Sequence, residues 1–206
     1  MSYRSYRSYQ NLGARAVWTL ILANVVIFLA VTLTRNSSSV FEAFGISRDY
    51  LDTQPWTMLT SMFLHAGFTH ILFNMLWLYW YGTALVQLIG EIKFLILYFV
   101  GGLVGNALFV LIEPDGLGIG ASGAVLALGG ALAIMRPKMK IVLFPIPIPM
   151  DLWVYVLIGS AFLGVLIPAI SGGSGIGWQA HLGGLVTGLA FGWYFRRWER
   201  RRGIYR

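Results

Sequence analysis

Five polar side chains stand out from the apolar sequence around them. His65, His70 and His181 are the three histidines of the chain, and each lies in or beside a long uncharged stretch. Asn74 follows His70 by four residues, and Ser122 lies in the turn sequence Gly-Ala-Ser-Gly. A serine hydroxyl beside an imidazole is a minimal activated nucleophile, and histidine and asparagine side chains can donate hydrogen bonds to an oxyanion. These residue types could therefore support nucleophilic acyl transfer if the fold brings them together.

The composition places these residues in a membrane protein. Hydrophobic residues make up 57% of the 206 positions, charged residues only 11%, and the mean hydropathy is +0.71. A soluble domain carries charge at about a quarter of its positions, so a soluble domain, a disordered chain and a coiled coil are excluded. The chain has no cysteine, which also excludes thiol nucleophiles, cysteine-ligated zinc and iron–sulfur clusters.

Six uncharged stretches of about 17 to 23 residues recur along the chain, and each is long enough for one helical crossing of a bilayer. They lie at about residues 16–34, 64–86, 94–112, 119–135, 152–170 and 179–195. The pattern predicts an all-α, polytopic membrane protein with one six-helix domain over residues 16–196. Basic cytosolic tails are predicted at residues 1–15 and 197–206.

The distribution of lysine and arginine predicts the orientation in the membrane. With the N-terminus inside, thirteen of the fifteen basic residues lie in inner segments, and only Arg35 and Arg48 lie outside. This asymmetry predicts that both termini face the cytosol. The basic C-terminal run directly follows a predicted span, which favours contact with anionic lipid over nucleic-acid binding.

This orientation brings the polar residues to one depth. The second, fourth and sixth stretches all run from outside to inside, so His70, Ser122 and His181 lie near their outer ends. On a helix, His70 and Asn74 share a face, whereas His65 lies about 140° from His70. His65 is therefore expected to face the preceding loop and to support its structure.

Small residues predict close contact between the fourth and sixth helices. The fourth carries Gly120, Gly123, Ala127, Gly130 and Ala131, and His181 is followed by Gly184, Gly188 and Gly192. Such faces let two helix backbones approach closely in lipid. His181 is therefore expected within reach of Ser122, with Gly120, Gly123, Gly184 and Gly188 supporting the site.

The expected chemistry is that of a Ser–His dyad. Ser122 would be the nucleophile and His181 the general base and acid, and the Ser122 backbone N–H would stabilise the oxyanion together with the His70 and Asn74 side chains. The uncharged stretches contain no Asp or Glu that could complete a triad. Neither a metal nor another cofactor is expected, because His65 and His70 are five residues apart and the chain has no HExxH motif.

The combined pattern resembles the rhomboid family of intramembrane serine proteases. The resemblance covers residues 16–196 and rests on the six stretches, the segment HAGFTHILFN, the GASG turn, and Ala-His followed by the glycine face. It implies that Ser122 and His181 cleave peptide bonds in or near transmembrane segments of other membrane proteins. It also implies that residues 35–64 lie partly in the membrane surface, with Trp56 as the tryptophan of a Trp-Arg pair. Three positions depart from the family pattern: Thr57, Gln87 and Leu126 replace an arginine, a glutamate and an aromatic residue.

Two other functions stay open. The first is a catalytically inactive chaperone or trafficking factor of rhomboid-like fold, which would normally lack Ser122 or His181. The second is a small transporter or channel, for which a charged residue within a span or an inverted repeat would be the signal.

The expected partners are transmembrane substrates and membrane lipids, and the expected location is a prokaryotic plasma membrane. The oligomeric state does not follow from the sequence.

Two loops have distinctive compositions. Residues 171–177 are rich in glycine and serine, which is typical both of a mobile cap over the site and of an ordinary connector. The segment 145–149 has proline at alternate positions, so it is expected to run extended on the inner side.

Overall fold

The computed structural model describes residues 3–34, 36–113, 115–143, 146–156 and 177–201, which are mostly helical as predicted. The helices are α1 (Tyr3–Leu33), α2 (Ser37–Phe44), α3 (Thr57–Thr60), α4 (Phe68–Ile89), α5 (Glu91–Ile112), α6 (Ser122–Met135), α7 (Leu152–Val154) and α8 (Trp178–Arg201). A 3-10 turn covers Ser61–Phe63, and the strands β1 (Lys140–Leu143) and β2 (Ile146–Asp151) follow α6.

Within the described residues, three helices are long and apolar enough to cross a membrane. Their apolar segments are Arg15–Leu33, Phe68–Ile89 and Glu91–Ile112, which correspond to the first three predicted stretches. The fourth stretch contains α6, an apolar helix of 14 residues, and the sixth lies within α8. The fifth stretch lies outside the described residues from residue 157 onward, as do residues 171–176 of the glycine- and serine-rich loop.

The helices α4 and α5 begin at other residues than predicted, and the backbone conformation before each helix explains the difference. The second stretch was expected to begin at residue 64, but α4 begins at Phe68 because Leu64 and Gly67 are extended, with ψ values of 144° and 174°. The third was expected to begin at residue 94, but α5 begins at Glu91. Gly90 separates the two helices with a φ of 82°, a conformation that glycine adopts without steric cost.

Two helices extend into the basic segments that were predicted as tails. α1 begins at Tyr3, and α8 continues to Arg201, past the predicted domain end at residue 196. Arginine has a high helix propensity, so a change from apolar to basic sequence does not by itself end a helix.

α6 is the central helix of the bundle. Nearly all of its residues are buried, and many are glycine or alanine. A Cβ atom at Gly101 of α5 would overlap Ala127, and one at Gly129 would lie 2.9 Å from the ring of Tyr81 in α4. The small residues therefore allow the neighbouring helices to pack closely against α6.

The outer surface of the bundle is apolar. Leu22 of α1 and Leu111 of α5 are 63% and 72% exposed, and Trp80 and Trp193 are also exposed. In water such a surface would be an aggregation site, whereas in a bilayer it faces lipid.

Within the described residues, Pro147 and Pro149 lie in β2, which pairs with β1 in an antiparallel two-stranded sheet. β1 and β2 pair Lys140 with Asp151, Ile141 with Met150 and Val142 with Pro149, with an irregularity after Val142. The extended backbone was predicted, but the strand pairing was not.

Candidate active site

Ser122 and His181 lie in hydrogen-bond contact, although they are 59 residues apart in the sequence. The distance from Ser122 Oγ to His181 Nε2 is 2.8 Å. Ser122 is the first residue of α6, and His181 lies in the first turn of α8. Because the two helices begin at the same end of the bundle, a short hydroxyl and an imidazole can meet there.

Glycine residues set the spacing between α6 and α8. A Cβ atom at Gly184 would overlap the backbone of Gly123, and one at Gly188 would overlap Ala127. The same relation continues one turn further, where a Cβ at Gly192 would lie 2.6 Å from the Ala131 carbonyl oxygen. These contacts recur at successive helical turns and are the close approach of α6 and α8 that the sequence pattern predicts.

The turn before Ser122 brings His70 to the same site. Gly120 has a φ of 127°, and a Cβ atom there would lie 2.8 Å from His70 Nε2 and 3.9 Å from Ser122 Oγ. Only glycine fits this position, because both the backbone conformation and the neighbouring imidazole exclude a side chain. The His70 ring and the Ser122 hydroxyl therefore flank the same glycine.

The hydrogen bonds of His70 and Asn74 define what each can donate. The Ala66 N–H donates to His70 Nδ1 at 3.4 Å, so the ring proton is assigned to Nε2, on the side of Gly120. Asn74 Nδ2 donates to the His70 carbonyl oxygen at 2.9 Å, and the side chain is buried. One amide hydrogen of Asn74 is thus used within α4, and the second is available for another acceptor.

His65 does not face away from His70 as expected. Its ring packs edge-on against the His70 ring, with 4.9 Å between centroids and 66° between planes. The expected angle of about 140° between His65 and His70 assumed a continuous helix. It is wrong because the backbone at Leu64 and Gly67 is extended, so these residues do not each rotate the chain by about 100°. Burial and, to a smaller extent, the neighbouring His70 lower the pKa of His65 to about 3, which keeps this loop ring neutral.

Trp56 lies in the loop before α4 and supports that loop. Its Nε1 donates to the Ala43 carbonyl oxygen at 3.0 Å, and the side chain is half exposed. Thr57, where the family pattern has arginine, is buried and donates through Oγ1 to the Gln54 carbonyl oxygen at 2.6 Å. The bond from Trp56 connects this side chain to the end of α2.

Asn106 of α5 is a buried residue that the sequence analysis missed. Its Nδ2 donates to Ser61 Oγ and to the Met58 carbonyl oxygen, both at 2.8 Å. The Ser61 carbonyl oxygen in turn accepts the Gly120 N–H at 2.8 Å. Asn106 therefore anchors the loop residue that holds the turn before Ser122. A polar residue in an uncharged stretch is itself a signal of such a role.

A second missed contact holds the start of α8. Gln179, two residues before His181, is buried, and its Nε2 donates to Glu113 Oε2 at 2.7 Å. Glu113 directly follows α5, so the bond ties α8 to the end of that helix. In the described part of the chain, no three His, Asp or Glu side chains form a group that could hold a metal ion.

Comparisons with known proteins identify the family. A family model described as the Rhomboid domain matches residues 52–198. The mitochondrial Rhomboid protein 1 of Saccharomyces cerevisiae is 32% identical over 188 residues, which cover 88% of this chain and 53% of that protein. The putative rhomboid protease YdcA of Bacillus subtilis is 34% identical over 123 residues, 58% of this chain and 62% of the relative. The rhomboid protease GlpG of Haemophilus influenzae is 30% identical over 176 residues, 84% of this chain and 88% of the relative.

These matches confirm the resemblance found in the sequence. The chain spans between about half and two thirds of the length of the yeast and Bacillus relatives. The relatives include both bacterial and mitochondrial proteins, so they give no support to the prediction of a prokaryotic plasma membrane. With a family match over most of its length and apolar helices long enough to cross a bilayer, the chain is an integral membrane protein and belongs to the rhomboid family.

Proposed function

We propose that the chain is an intramembrane serine endopeptidase that cleaves transmembrane segments of other membrane proteins. The observation that carries this proposal is the 2.8 Å contact between Ser122 Oγ and His181 Nε2. The names of the Bacillus and Haemophilus relatives, which describe those proteins as rhomboid proteases, support it.

In the proposed mechanism, His181 activates the Ser122 hydroxyl. His181 Nε2 accepts the hydroxyl proton while Oγ attacks the substrate carbonyl carbon and forms a tetrahedral intermediate. His181 then donates that proton to the departing amine as the carbon–nitrogen bond breaks, which leaves an acyl-enzyme. Water attacks the ester by the same route, with His181 again taking and returning a proton, and Ser122 is released.

The intermediate places a negative charge on the former carbonyl oxygen. The first hydrogen bond of α6 runs from the Val125 N–H to the Ala121 carbonyl, so the Ser122 N–H precedes the helical hydrogen-bond ladder. It lies at the positive end of the helix dipole, where an anion is stabilised. We assign two further donors to the oxyanion, His70 Nε2–H and the second amide hydrogen of Asn74.

The proposal includes the topology of six crossings with both termini in the cytosol. The starts of α4, α6 and α8 lie at the same end of the bundle, and α5 runs in the opposite direction. The evidence for α5 is Lys93, near its start, whose Nζ lies 4.2 Å from the ring of Trp198 near the end of α8. This alternation suits a chain that crosses repeatedly, and the site then faces the outside. Location in a prokaryotic plasma membrane stays a prediction.

The test compares purified parent protein with Ser122→Ala and His181→Ala in liposomes that contain a fluorescent transmembrane peptide. We expect cleavage by the parent, no cleavage by either variant, and reaction of a fluorophosphonate probe only with a protein that retains Ser122. Leu76→Ala, on the exposed face of α4, is the control and should cleave normally. A folded parent that neither cleaves nor reacts would instead favour a catalytically inactive rhomboid-like chaperone or trafficking factor.

A further inference from the structure

A buried ion pair joins α6 to α8 at the end of the bundle opposite Ser122. Arg136, the residue after α6, donates to the two carboxylate oxygens of Glu199 at 2.9 and 3.1 Å. The Glu199 side chain is only 3% exposed, and that of Arg136 is 19% exposed. Glu199 stands among arginines in the basic end of α8, so its burial is not evident from the sequence.

Guanidinium groups also cap the carbonyl end of α6. Arg136 donates to the Met135 carbonyl oxygen at 2.9 Å, and Arg196 of α8 donates to that of Ile134 at 3.1 Å. The last carbonyls of a helix lack intrahelical donors and form the negative end of its dipole, so cations stabilise them. Together with the ion pair, these bonds connect the last turn of α6 to one position along α8.

The other contacts between α6 and α8 fix the distance between the two helices. They fix less firmly how far one helix is displaced along the axis of the other. Its closest contacts join the backbone at Gly184 and Gly188 to the backbone at Gly123 and Ala127. Backbone contacts of this kind permit close approach. The apolar side chains beside them, such as Leu185 near Gly130, add van der Waals contact but no directional bond that fixes the axial position.

Catalysis needs a defined axial position. α6 has 14 residues, so at 1.5 Å per residue the ion pair lies about 20 Å from Ser122. A helix moves as a rod over this distance, and a displacement of about 1 Å in a catalytic group can lower a rate by about 100-fold. The contact of Ser122 with His181 therefore depends on the far end of the same two helices.

We infer that the Arg136–Glu199 ion pair sets the axial register of α6 on α8 and is thereby a positioning device for Ser122 and His181. Its catalytic consequence rests on the proposed function. A buried ion pair contributes little net stability compared with apolar residues of similar size, and fixing a register is its best-attested use. The bidentate geometry suits this use, because two parallel hydrogen bonds restrict both distance and direction.

The informative variant is the double substitution Arg136→Met and Glu199→Met. The single change Glu199→Met leaves the partly buried Arg136 guanidinium without its carboxylate partner. A loss of activity in this variant would therefore combine lost stability with a changed helix position. In the double variant we expect the midpoint of thermal unfolding to stay within a few degrees of the parent. We expect kcat to fall by about 10- to 100-fold with little change in KM, and fluorophosphonate labelling of Ser122 to slow in parallel.

The register itself can be measured without activity. Because the native chain has no cysteine, spin labels can be attached at Leu126→Cys in α6 and Val186→Cys in α8. We expect the distance distribution between the labels to shift or broaden in the double Met variant. The control is Asp151→Asn, which breaks the more exposed Lys140–Asp151 pair of 2.7 Å between β1 and β2 and should leave both kcat and the distances unchanged.

The outcomes separate this inference from the proposed function. An unchanged distance distribution in the folded double variant would overturn the register role whatever the activity is. A changed distance distribution with parental kcat would show that the register set by the ion pair does not position Ser122 and His181 for catalysis. If the distribution changes but the parent cleaves nothing, the proposed protease function is wrong and the register role stands.

Discussion

The hydrogen-bond donors around Ser122 differ in how firmly the fold directs them. The His70 ring is oriented from both sides, by the Ala66 N–H at Nδ1 and by the edge-on ring of His65. In the part of the chain that the structure describes, Asn74 makes one side-chain hydrogen bond, to the His70 carbonyl oxygen. His70 and Asn74 lie one helical turn apart on α4, so a single helix supplies two donors to the proposed oxyanion site.

Asn74→Asp is expected to lower kcat by about 100- to 1,000-fold, the usual cost of losing one oxyanion donor. The carboxylate has nearly the size of the amide but offers no hydrogen, and its charge would repel the oxyanion. The measurement is steady-state cleavage of a transmembrane peptide in liposomes, with KM determined separately. An unchanged kcat in the folded variant would remove Asn74 from the proposed site.

His65 is expected to make stability depend on pH. In the unfolded chain its pKa is near 6.5, while in the folded chain burial lowers the pKa to about 3. The unfolded state therefore binds more protons between these values, so stability is full above pH 6.5 and falls as the pH drops toward 3. The slope from this one ring is at most about 1.4 kcal/mol per pH unit.

The measurement is thermal unfolding of parent and His65→Asn at about pH 7 and about pH 4.5. The variant removes the titrating ring, so the difference between its two midpoints should be smaller than in the parent. Equal differences in the two proteins would show that His65 does not titrate between the folded and unfolded states as its burial requires.

At the scale of helices, the sequence predicts periodic features better than boundaries and cross-links. The spacing of Gly184 and Gly188 predicts a close helix contact, because small residues four apart share a face of any helix. The start of α4 could not be predicted, since no local rule shows that Leu64 and Gly67 adopt an extended conformation. The bond from Asn106 to Ser61 joins residues 45 apart, and only the packed fold determines that pairing.

Gly188→Leu is expected to separate α6 from α8 and to abolish cleavage. The added side chain would overlap the Ala127 backbone, and overpacking of this kind costs about 1–3 kcal/mol or more. The matched control is Ala190→Leu, which adds bulk to an exposed position of the same helix and should keep both the unfolding midpoint and the activity. A Gly188→Leu protein with parental activity would show that the helices need not approach this closely.

At the scale of the whole molecule, buried polar groups and small residues lie among the apolar side chains of the core, and the outer surface is apolar as well. Buried Asn24, Asn106 and Gln179 contrast with exposed Leu22 and Leu111. In a bilayer the hydrophobic effect does not drive helices together, so close packing and internal hydrogen bonds must do so. This explains why composition alone predicts a membrane protein, whereas the positions of the internal polar contacts required the structure.

The proposed orientation can be tested because the chain has no cysteine of its own. Ser38→Cys, in α2, lies near the end of the bundle where α1 finishes, and Lys138→Cys follows α6 at the opposite end; both positions are exposed. With the basic segments retained in the cytosol, a membrane-impermeant maleimide added to intact cells should label only the first variant. Permeabilised cells should show labelling of both, and the parent should show none. Labelling of Lys138→Cys in intact cells would reverse the orientation and place Ser122 and His181 at the cytosolic face, where substrates would have to enter from the other side of the membrane.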